Sequence, residues 1–125
     1  MATIKRFEDI ECWQEARALV KLIYRLTRKP EFKKDIELVK QIRRSAISTM
    51  ANIAEGFHRS SSKDLMKFLD YSRSSVAETV SHSYAALDQD YITNEEIAEI
   101  QKQADIVWKK TNKFISYLRT SLATN

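Results

Sequence analysis

The chain has 125 residues, 43% of them hydrophobic and 30% charged, with a formal net charge of +4. That length suits one domain with one core, and the balance fits a globular protein rather than a disordered one. One Gly and one Pro are too few turn residues for an all-β or α/β fold, no apolar run nears the roughly 18 residues that span a bilayer, and the opening MATIKRFEDIE lacks the apolar segment of a signal peptide.

The first predicted helix runs from about Asp9 to Arg28. Ile10, Trp13, Ala16, Val20, Ile23 and Tyr24 share one face, and Leu19, Leu22 and Leu26 widen it. So broad an arc implies contact on two sides and motivates self-association. Lys29-Pro30 stops the helix, because the residue before Pro avoids the α region. Cys12 is alone, so it has no internal disulfide partner. A lone thiol fits a reducing cytoplasm. With no His near it in sequence, it reads as a packed helical Cys rather than a nucleophile.

The second helix is expected from about Lys33 to Glu55, with Gly56 as its left-handed cap. Its segment Gln41–Gly56, QIRRSAISTMANIAEG, carries two stripes. Ile42, Ala46, Met50 and Ile53 form an apolar one. Gln41, Ser45, Ser48, Asn52 and Glu55 form a polar one. Small polar residues are mediocre helix formers, so the second stripe marks either a close, hydrogen-bonded helix contact or the lining of a site.

Ser60, Ser61 and Ser62 make a turn, and Ser61 with Asp64 resembles a capping box. The third helix follows from about Ser62 to Leu87. Leu65, Leu69, Ser72, Val76, Val80, Ser83 and Leu87 form its inner face. Ser72, Ser75, Thr79 and His82 form another polar stripe. Asp88–Tyr91 turn the chain again, and Thr93 with Glu96 is a second capping box. The fourth helix, about Asn94 to Thr120, places Ile97, Ile100, Ala104, Val107, Thr111, Phe114 and Leu118 in a 3-4 alternation. Trp108, Ile115 and Leu122 sit beside that seam. Ser121–Asn125 are expected to fray. Four long helices with short loops give an all-α, antiparallel up-down-up-down bundle in a single domain.

Chemistry is sparse. Glu55-Gly-Phe-His58 has the Glu-x-x-His spacing of di-iron bundles, but such sites need two of these motifs, and only one occurs here. Glu78 and His82 are ordinary i,i+4 neighbours. The single Gly leaves no phosphate-cradling loop, and neither His sits in a triad setting. No metal, cofactor or enzymatic activity is expected. A small-molecule or metal site at Asn52, Glu55, His58 and Glu78 is the one alternative.

Charge is uneven. Residues 1–60 carry net +5 and residues 61–125 net −1. Arg25, Arg28, Lys29, Lys33, Lys34, Lys40, Arg43 and Arg44 stand against Glu31, Asp35 and Glu37. With Arg59 as a contributor, these bases form a candidate edge for nucleic-acid phosphates. The bland alternative is a solvated face, partly neutralised by pairs such as Lys33–Glu37.

The motifs also carry a resemblance. Gln41–Ser48, Asn52–Gly56, Ser60–Ser62, Ser74 with Glu78, and an opening set of Phe7, Asp9, Ile10, Trp13 and Ala16 resemble the proteins encoded in intervening sequences of bacterial 23S rRNA genes. These are sometimes labelled ribosomal proteins, and related bundles accompany reverse transcriptases in diversity-generating retroelements. The resemblance spans about Phe7 to Tyr91. Met50 and Ser74 depart from it, standing where the family often has Pro and Gly. It implies a four-helix bundle, a homopentameric ring and a connection to rRNA. The function expected is a non-catalytic oligomer that touches RNA or a ribonucleoprotein. The alternative is a protein-binding scaffold, with Tyr71, Tyr84, Tyr91 and Tyr117 as a candidate interface.

Overall fold

A computed structural model describes residues 4–124, and for 122–124 the backbone alone. A 3-10 turn at Phe7–Asp9 precedes α1 (Glu11–Thr27), α2 (Pro30–Lys34), α3 (Ile36–Phe57), α4 (Ser62–Asp88) and α5 (Asn94–Thr124). Helix α2 is a single turn that the apolar period could not show. Pro30 sits in its first turn, where a missing N–H costs nothing. Asp35 then breaks the chain and caps α3, its carboxylate accepting from the Leu38 N–H at 3.1 Å. The expected Lys33–Glu37 pair therefore spans a break. Lys34 instead pairs with Glu31 at 3.2 Å, and Glu37 accepts from Gln41 at 3.0 Å.

The four long helices form a square bundle in the ring order α1, α3, α4, α5, each touching two neighbours. Cross-links show them antiparallel. Gln103 reaches Glu15 and Lys110 reaches Glu11, while Arg25 reaches Glu99 at the other end of α1. Ile97, Ile100, Ala104, Val107, Thr111, Phe114 and Leu118 of α5 are all buried. Trp108 is not, at 41% exposure. Leu122 lies outside the described side chains. Helix α5 continues through Ser121 to Thr124; Asn125 lies outside the described residues. The broad arc of α1 is used up within the chain, where Leu19, Leu22 and Leu26 are buried among the core residues. Its width therefore carries no argument for self-association.

Both Ser/Thr caps form. Ser61 Oγ accepts from the Asp64 N–H at 3.1 Å. Thr93 and Glu96 make the full reciprocal box, at 3.1 and 2.9 Å. The remaining turn is completed by Asp90 in the left-handed region, with φ of 61°.

Gly56 does something other than cap. It is buried inside α3, which runs on to Phe57, and its φ is not positive. A Cβ there would lie 2.7 Å from the Phe68 Cβ and 3.1 Å from Leu65 Cδ1 of α4. Glycine is needed for close approach, not for a turn. Ala normally gains about 1 kcal/mol over Gly in a helix, but here the overlap dominates. We expect Gly56→Ala to destabilise the fold by about 1–3 kcal/mol in urea titration; equal or greater stability would contradict the close contact.

Candidate functional site

The polar stripe of α3 meets that of α4. Ser45 and Thr79 hydroxyls share a hydrogen bond at 2.8 Å, and Ser48 and Ser75 hydroxyls share one at 2.9 Å. Ser72 Oγ donates to the Thr49 carbonyl at 2.6 Å. Ser45, Thr49, Ser72 and Thr79 are buried. Thr79 Oγ1 also lies 2.8 Å from the Ser75 carbonyl and Ser45 Oγ 3.1 Å from the Ile42 carbonyl, local acceptors that share the same two hydroxyl protons. Asn52 does not reach across. Its Nδ2 donates back to the Ser48 carbonyl and hydroxyl, both at 2.9 Å. These groups satisfy one another, as buried polar groups must.

The other stripe members point elsewhere. Gln41 bonds Glu37, and Glu55 pairs with Arg59 at 3.0 Å. Glu78 Oε1 stands 3.7 Å from His82 Nε2. His58 lies against Phe7 and Phe57 in edge-on contacts, so Glu55 and His58 are engaged by different neighbours. No group of three or more His, Cys, Asp or Glu side chains suited to a metal occurs among the described residues. A shallow groove of about 400 Å³ lies elsewhere, between α1 and α5, lined by Ala18, Leu22, Glu99, Lys102, Gln103 and Ile106. No helix among the described residues is long and apolar enough to cross a membrane.

Cys12 is 1% exposed. Burial pushes its thiol up to about 11, against a weaker opposing hydrogen bond with Thr111. A thiolate is the reactive form. The folded protein should react with an aromatic disulfide reagent at pH 8 roughly a hundredfold more slowly than the unfolded chain. Equal rates would mean that Cys12 is accessible. The pKa is raised on folding, so this burial favours the fold below the unfolded thiol's pKa. That contribution fades as pH rises towards 11.

The basic segment changes most on folding. The bundle topology returns Asp88, Asp90, Glu95, Glu96 and Glu99 to the same end. Lys29 pairs with Glu96 at 2.6 Å, and Arg25 with Glu99 at 2.8 Å. Burial works against the charge on Glu96, but Lys29 and the Thr93 cap outweigh it and hold the carboxyl below its usual range. Residues 19–44 with 79–103, which make up that end, hold ten bases and eight acids; the other end holds eleven and nine. Each end is therefore +2, and the +5/−1 contrast along the sequence vanishes. Arg59 belongs to neither this end nor this patch. It lies beyond the far end of the 22-residue α3, ~33 Å away, over the Phe68 ring.

What survives is a face rather than an end. No Asp or Glu occurs between Glu15 and Glu31, or between Glu37 and Glu55. These acid-free stretches are most of α1 and most of α3, which pack side by side. Arg17, Lys21 and Arg28 recur along the outer side of α1, and Lys40 and Arg44 along that of α3; all five are exposed. Arg43 lies between the two helices. Its Nε donates to Thr27 Oγ1 at 2.9 Å and its guanidinium sits 4.2 Å from the Tyr24 ring centre. Lys33 is exposed at the loop end of this face. A window along the sequence missed Arg17 and Lys21; their spacing of four, and the lack of acids around them, was the available signal.

On the opposite side of the square, α4 and α5 present exposed aromatics. Tyr84 is 49% exposed and accepts from Gln101 at 2.7 Å. Trp108 carries Arg73 above its ring at 5.7 Å. Tyr71 and Tyr117 are also exposed. Tyr91 is not part of such a surface, being stacked on Phe32 and donating to Asp35 at 3.0 Å.

The molecule is thus an antiparallel four-helix bundle with one cationic and one aromatic face. Residues 8–113 match the family model of the 23S rRNA-intervening sequence proteins, and the chain belongs to that family. The fold is similar to the crystal structure of a protein of unknown function from the S23 ribosomal protein family of Bacteroides thetaiotaomicron. The TM-score is 0.76 at 24% identity, over 83% of this chain and 97% of that one. No curated protein matches the chain significantly.

Proposed function

We propose that this protein is a non-catalytic, self-associating bundle that contacts RNA through its α1–α3 face. The observation that carries the reading is the pairing of the long acid-free stretches of α1 and α3, which gathers scattered cations on one face. Phosphate backbones bind such fields by counterion release. The family's tie to rRNA genes supports RNA as the polyanion. A cyclic assembly, five copies by the family resemblance, would repeat the face and raise a modest single-site affinity. The exposed Tyr84 and Trp108 support a protein contact on the opposite face, either with further copies or, in the second reading, with a different protein on a scaffold that touches no RNA. The hydrogen-bonded seam and the suppressed Cys12 thiol support a non-catalytic role, and that thiol suits a cytoplasmic setting.

Fluorescence anisotropy with a structured rRNA fragment tests this reading. Binding should weaken linearly on a log–log salt plot. Lys40→Glu with Arg44→Glu should reduce affinity at least about tenfold at low salt, since two exposed phosphate contacts become repulsive. Arg43 is a poorer choice, because its loss also removes the Tyr24 and Thr27 contacts. Unchanged binding in the double variant would overturn the site. No binding by the native protein at low salt would leave the scaffold reading.

A further inference from the structure

Resting on the RNA reading above, we infer that the α1–α3 face takes duplex RNA in preference to a single strand. The cations lie in two rows on two adjacent antiparallel helices. Arg17 and Lys21 of α1 with Arg28 at its C-cap make one row, and Lys40 and Arg44 of α3 make the other, with Arg43 between them. Adjacent helix axes run about 8–10 Å apart, and the α1 row from Arg17 to Arg28 spans ~16 Å. A duplex offers two phosphate strands flanking a groove, so both rows find phosphates at once. A single strand offers one line of phosphates and fills one row.

The same face lacks what single strands need. Sequence-tolerant single-strand binding relies on open aromatic rings on which bases stack. The two aromatics at this face are already covered. Arg43 sits over Tyr24 at 4.2 Å, anchored by its bond to Thr27, and Arg17 sits over Trp13 at 5.9 Å. Trp13 is itself buried. The exposed Tyr84 and Trp108 are on the far side of the bundle, out of reach of a strand held here. Beside the cations the face offers Ile47 and Ala51, which carry no side-chain group to read a base edge, and Tyr24, whose ring lies under Arg43. Recognition is therefore of backbone shape rather than sequence, the mode by which A-form helices are bound.

The test compares a blunt RNA duplex with its separated strands, by anisotropy against salt, using the full-length protein. With both rows engaged, the duplex slope should be about −5, and a strand on one row should give about −2. The duplex should bind at least about tenfold more tightly at low salt. Lys21→Glu with Lys40→Glu removes one exposed cation from each row. With its helicity checked by circular dichroism, that variant should flatten the duplex slope more than the strand slope. Strands that bind as tightly as the duplex, with an equal slope, would overturn the inference while leaving RNA binding intact. Binding of neither probe at low salt would overturn the RNA reading itself.

Discussion

The close approach of α3 to α4 is the constraint on which the rest of the bundle depends. This is the most extensive helix contact in the molecule, and small side chains make it possible. Gly56 lies against Leu65 and Phe68 at one end, and Ser45, Ser48, Ser72, Ser75 and Thr79 fill the middle. Larger residues would hold the axes apart. The hydroxyls contribute direction more than strength. Each net bond is worth about 1 kcal/mol, but a slip in register would leave several of them buried and unpaired. With α3 fixed in rotation, its outward side is fixed too. Lys40, Arg44 and Ile47 face solvent beside α1 because Ser45, Ser48 and Thr49 are held against α4.

Topology, rather than composition, decides where the charge ends up. Antiparallel packing places the acidic turn and start of α5 beside the basic connection between α1 and α3. Lys29–Glu96 and Arg25–Glu99 then tie the C-terminal end of α1 to the start of α5. Exposed pairs of this kind add little stability. Their larger effect is to cancel a local field. The cations that stay free are those whose neighbours in space, not only in sequence, lack acids.

Local signals were therefore legible and long-range ones were not. The Thr93–Glu96 box, the Ser61 cap, the Pro30 stop and the α5 seam are each set within one or two turns of helix, and each is where its residues place it. The fold class followed from them. Gly56 was misread because the same residue serves a left-handed cap and a tight crossing, and only Phe68, twelve residues on, decides between them. Helix α2 is too short to show a period. The basic window includes Lys40 and Arg44, which are exposed on the acid-free face, yet it also counted Arg25 and Lys29, whose partners lie 74 and 67 residues away. It also passed over Arg17 and Lys21, whose importance depends on which helix packs alongside.

The α3–α4 seam is the rigid element from which both faces are positioned, and native-state hydrogen exchange tests this. The slowest amides, opening only with global unfolding, should lie in Ser45–Ile53 of α3 and Ser72–Thr79 of α4. Amides of α1 and α5 should exchange through smaller openings. If the most protected amides lay instead in α1 and α5, with the α3–α4 seam opening first, the seam would not be the element that holds the bundle in place.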